Sequence, residues 1–128
     1  MEITRQKVDR CFQLGDARKY GDFREASNNV RREIYELFSE ISLNRDRSAV
    51  EDQIFKSTLN VEALHIRTDE VPEVTDDTKK ALDAMFKIED EYKEGGKPGL
   101  GDVEPHLNRL NLALEELQLE ALFTCLKR

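Results

Sequence analysis

Residues 103–127 read VEPHLNRLNLALEELQLEALFTCLK. Leu107, Leu110, Leu114, Leu117, Ala121 and Cys125 recur at spacings of three and four. At ~100° per residue, that spacing gathers them into one apolar stripe of an α-helix. Pro105 fits the first turn of such a helix, where a missing N–H is tolerated. Leu112, Leu119, Phe123 and Leu126 form a second stripe, roughly 140–180° from the first. A peripheral helix needs only one apolar stripe. Either this helix runs through the middle of a bundle, or its second stripe meets another chain.

Helical periodicity extends upstream. Phe23, Ala26, Val30, Ile34, Leu37, Phe38 and Ile41 form one stripe, and Asp22 followed by Glu25 reads as a capping box opening it. Ser48 and Glu51 read as a second capping box. It opens a helix with Val50, Ile54, Val61 and Leu64 on one side and Phe55, Leu59 and Ile66 on another, a pattern that predicts a central helix. After Pro72, Thr75 begins a helix with Ala81, Met85, Ile88 and Tyr92 on its inner face, widened by Leu82 and Phe86. Residues 2–19 make a weaker helix. The run Gly95-Gly96-Lys97-Pro98-Gly99 reads as a short connection between helices, without the spacing of a phosphate loop. The expected fold is an all-α antiparallel bundle of four or five helices, a single helical domain over residues 1–128.

Charge and cysteine content narrow the functional classes. The chain has 27 acidic and 20 basic residues, a net charge of −7, which argues against nucleic acid as a ligand. No run of ~18 apolar residues predicts a membrane helix. The N-terminal residues lack a basic-then-apolar layout, so the expected location is cytoplasmic. The two cysteines, Cys11 and Cys125, are expected to be reduced, buried thiols, with a clamp between the chain ends as the alternative.

One polar set could carry chemistry. Glu33 and Glu36 are three apart on one helix, and Glu62 and His65 three apart on the next. Such pairs can share a divalent cation. The four positions resemble the Glu-x-x-Glu and Glu-x-x-Asp pairs of all-α nucleotide pyrophosphohydrolases, which hold Mg²⁺, with His65 where an Asp is expected. The resemblance implies a metal-dependent nucleotide hydrolase using Glu33, Glu36 and Glu62. Mg²⁺ prefers oxygen ligands, however, and Glu36 points away from the apolar stripe. His106 is expected to be exposed. The stretch 69–77 carries five carboxylates without the spacing of a calcium loop, and reads as a solvated loop.

The leading expectation is therefore a non-catalytic protein–protein interaction module without a cofactor. It would associate through Leu112, Leu119, Phe123 and Leu126, with a second copy or with a helical, basic protein as partner. A metal-dependent hydrolase and a small-ligand receptor with its pocket between subunits are the alternatives.

Overall fold

The structure, a computed structural model, describes residues 4–7, 9, 18–43, 46–94 and 100–126. Four long helices account for most of these: α1 (Arg18–Ser42), α2 (Arg47–Ile66), α3 (Thr75–Glu94) and α4 (Leu100–Leu126). No strand occurs among the described residues. The fold is all-α, as the periodicity predicts. None of the described helices is long and apolar enough to cross a membrane. The weak first helix of residues 2–19 and the glycine-rich connection fall largely outside the described residues. Residues 5–7 and 9 are helical.

The helices pack in sequence order around a square: α1 on α2, α2 on α3, α3 on α4, and α4 back on α1. Cross-helix contacts give the directions. Arg47 at the start of α2 donates to the Tyr92 carbonyl near the end of α3, while His65 at the end of α2 meets Thr78 at the start of α3. His106 near the start of α4 approaches Glu91 near the end of α3. Along the fourth side, Asn28 pairs with Gln118 and Arg31 with Glu115, so one index rises as the other falls. Neighbouring helices are therefore antiparallel, as short connections require.

The predicted inner stripes are the core. Phe23, Val30, Ile34, Leu37 and Ile41 of α1 are buried, and so are Val50, Ile54, Val61 and Leu64 of α2. Ala81, Met85, Ile88 and Tyr92 of α3 and the six residues from Leu107 to Cys125 of α4 complete it. Full burial stabilises each large aliphatic side chain by about 1.5–3 kcal/mol, which is what selects this register.

Several boundaries differ from the sequence reading. Asp22 is not a cap: α1 begins at Arg18 and runs through Gly21, because the residues before Asp22 continue the helix at the modest cost of one glycine. The cap of α2 is Asp46, not Ser48. Its side chain makes no capping hydrogen bond, and its carbonyl accepts from the Val50 N–H. Arg47, inside the first turn, is held by Glu51 at 2.7 Å and by the Tyr92 carbonyl, so the helix starts where α3 supplies an anchor. α4 starts at Leu100, which puts Pro105 in its second turn rather than its first.

The acidic stretch 69–77 is not a solvated loop. It forms two 3-10 turns, Arg67–Asp69 and Pro72–Val74, and closes the end of the core with Thr68, Val71 and Val74. The valines alternate with the carboxylates, so apolar side chains turn inward while most of the charges stay in water.

The expected reduced state is overturned at Cys125. Cys125 is buried, as expected, but disulfide-bonded rather than reduced, and among the described residues there is no free cysteine. The antiparallel pairing of α1 and α4 sets the end of α4 beside the start of α1. Cys11, the chain's other cysteine, lies outside the described residues.

Candidate protein interface

The second stripe of α4 faces solvent. Leu112 is 55%, Leu119 52% and Phe123 44% exposed, and Leu126 is half-buried. The reading of α4 as a central helix is therefore wrong, because α1 and α3 cover its inner side and leave its outer side open. The same correction applies to α2. Phe55, Leu59 and Ile66 are exposed, so α2 is peripheral and apolar on its outer face. In the square arrangement α2 and α4 are diagonal, so the two outer stripes lie on opposite sides of the bundle.

Two polar seams border the stripe of α4. On the α1 side, Gln118 donates to the Ser27 hydroxyl at 3.2 Å and to Asn28 Oδ1 at 2.8 Å, and accepts from Arg31 at 3.4 Å. Arg31 also reaches Glu115 at 3.1 Å. Ser27 is fully buried, so this network supplies a partner that burial demands. Among the described residues of this seam, the Arg31 Nε is buried without an acceptor.

On the α3 side three carboxylates, Asp77, Glu116 and Glu120, come together beside Lys80. Asp77, 8% exposed in the first turn of α3, has its carboxyl pushed up to about 6. Burial is the main cause. Glu116 and Glu120 of α4 add repulsion, Lys80 opposes the rise, and a hydrogen bond with Glu116 adds to it. A buried carboxyl facing other carboxylates keeps its proton to higher pH than an exposed one. Beside this seam a pocket of about 310 Å³ is lined by Lys80, Arg109, Leu112, Ala113 and Glu116. Nothing in the α3 or α4 sequence alone identifies the Asp77 contact. Its signal is a register between helices, visible only once they are packed.

The four residues of the metal-hydrolase alternative do not converge. Glu33 takes both its hydrogen bonds from the Asn60 amide at 2.6 Å, across the α1–α2 seam. Glu36 and Glu62 are exposed. His65 Nδ1 lies 2.9 Å from the Thr78 hydroxyl. That hydroxyl already donates to the Thr75 carbonyl, so Nδ1 is the donor in their contact. Among the described residues, no group of three or more His, Cys, Asp or Glu side chains is placed to hold a metal ion. His106 is half-buried rather than exposed, 3.9 Å from Glu91, because the antiparallel α3 lies over it.

An open cleft of about 460 Å³ between α1 and α2 is lined in part by Asn29, Arg32, Glu33, Asn60 and Arg67. Asn60 engages Glu33, and Arg67 lies 3.5 Å from Glu70, so much of its polar lining is already satisfied within the chain. The outer face of α4 combines a line of exposed apolar side chains with the carboxylates Glu116 and Glu120 at its edge. No family model matches the chain, and neither a curated protein nor a solved structure is significantly similar to it.

Proposed function

We propose that this chain is a non-catalytic protein–protein interaction module, adaptor-like, chaperone-like, regulatory or inhibitory, that works through the outer face of α4. The observation that supports this reading is the exposure of Leu112, Leu119 and Phe123 along one line of a helix whose opposite line is fully buried. Large apolar side chains contiguous on a surface mark interaction sites more often than chance exposure. Leu112, Leu119 and Leu126 recur every seven residues, which suits a helix laid alongside. Self-association would place a second copy there, and a different protein would cover the same line.

The test is a double substitution, Leu119→Glu with Phe123→Glu. Both side chains are about half exposed, so the fold is retained. Association of the wild-type chain, read by light scattering across a concentration series, is lost in the variant. A wild-type chain that stays monomeric at all concentrations removes self-association. Unchanged association in the double variant removes the α4 face as the contact. The compartment belongs to the same proposal. A cytoplasmic module would keep Cys125 reduced, whereas its bonded state matches an oxidising compartment. Alkylation of intact cells before lysis reads which holds.

A further inference from the structure

We infer that the outer face of α4 is built for a basic amphipathic helix, whose apolar side covers Leu112, Leu119 and Phe123 and whose Arg or Lys side chains reach Glu116 and Glu120. This rests on the reading of that face as an interface and names its partner. Three observations carry it.

The charges around the centre of the stripe have one sign. Within four residues of Leu119 on α4, the charged side chains are Glu115, Glu116 and Glu120. Glu115 is matched by Arg31. Lys80 and Arg109 line the pocket beside Glu116, but among the described residues no cation lies within ion-pair distance of Glu116 or Glu120, and behind them sits Asp77. An incoming guanidinium or ammonium removes that repulsion, so the seam is more stable occupied than empty.

A second copy fits less well. Two α4 helices laid antiparallel around Leu119 bring the Glu116 edge of one against the Glu116 edge of the other. Like charges facing each other in this way select against a pairing. Area points the same way. A standard interface buries roughly 800 Å² per partner, which three half-exposed side chains and their surroundings on one helix do not reach alone. Charge pairing along the α3 edge supplies what the apolar line lacks.

The experiment uses two labelled synthetic helical peptides with the same leucine line, one with Arg and one with Glu at the flanking positions, titrated with the whole protein. The Arg peptide should bind, and the Glu peptide should not. Leu119→Glu should abolish binding, and Glu116→Gln with Glu120→Gln should weaken it about tenfold while leaving the protein folded. Binding should also strengthen as pH rises from 5 to 7. Over that range Asp77, which faces Glu116, Glu120 and Lys80, ionises and adds negative charge to this edge. Equal binding of both peptides, or no loss in the Gln variant, overturns the basic partner and leaves the interface in place. If neither peptide binds and the chain forms a dimer that Leu119→Glu dissociates, the occupant is a second copy. If neither peptide binds and Leu119→Glu changes no association state, the interface reading fails with the inference.

Discussion

The seam between α1 and α4 joins Ser27, Asn28 and Arg31 to Glu115 and Gln118. The seam between α3 and α4 sets Asp77 against Glu116 and Glu120. Both are antiparallel, both lie beside the same buried leucines, and both draw on polar residues of one helix. One is matched donor to acceptor and the other is crowded with like charge. The first fixes register. The second leaves an electrostatic deficit next to exposed Leu119, and a deficit at a surface is a handle for something outside the chain.

Removing what the two seams share should have the largest effect. Leu117 is fully buried on the inner line of α4, and Leu117→Ala leaves a cavity there. A loss of about 2–5 kcal/mol is expected, read by urea denaturation, with both seams loosened together. A loss under 1 kcal/mol would mean that the inner line is not the support of both.

Asp77 separates the seams by sign. Its folded carboxyl titrates at about 6 against 3.8 for the free group. Stability associated with this group is fully present below pH 3.8 and is lost as pH rises through about 6. Asp77→Asn removes the ionisation while keeping the shape. Above pH 6 the variant should be the more stable by about 1–3 kcal/mol, with the difference shrinking to near zero at pH 4. Thermal melts of both proteins across that range measure it. A variant less stable at pH 7 would show that the Asp77 carboxylate is satisfied rather than strained.

On the other seam, Gln118→Ala deletes two donated bonds and the acceptor of Arg31, and strips buried Ser27 of a partner. A loss of about 1–2 kcal/mol without pH dependence is expected, which is the signature of a matched seam.

These seams also show what could be read in the chain beforehand. The inner stripe from Leu107 to Cys125 and the stripe from Phe23 to Ile41 were legible, because helix periodicity within one segment determines them. So was the surplus line Leu112, Leu119 and Phe123. The outward placement of Phe55 and Ile66 was not. Two apolar sides on a helix fit a central position or a peripheral one equally well, and the choice depends on how many neighbours the chain provides. Asp77 was readable as a first-turn acid, favourable at the positive end of α3. Its burial against Glu116 depends on the offset between α3 and α4, which no local pattern encodes.

The smallest effect is the sharpest comparison. Glu115 and Glu116 are consecutive, and ~100° of helix rotation sends one toward α1 and the other toward α3. Glu115→Gln weakens a half-exposed pair with Arg31 and should cost about 0.2–1 kcal/mol, fading at high salt. Glu116→Gln removes a repulsion instead. It should stabilise the chain by a similar amount at neutral pH, and it should lower the Asp77 pKa toward the ordinary carboxylate range, which the side-chain carboxyl shift in an NMR titration reads directly. The same substitution at adjacent positions then has opposite signs. If both variants lose stability, Glu116 has a cationic partner in the free protein, and the α3 edge is not the unsatisfied side of α4.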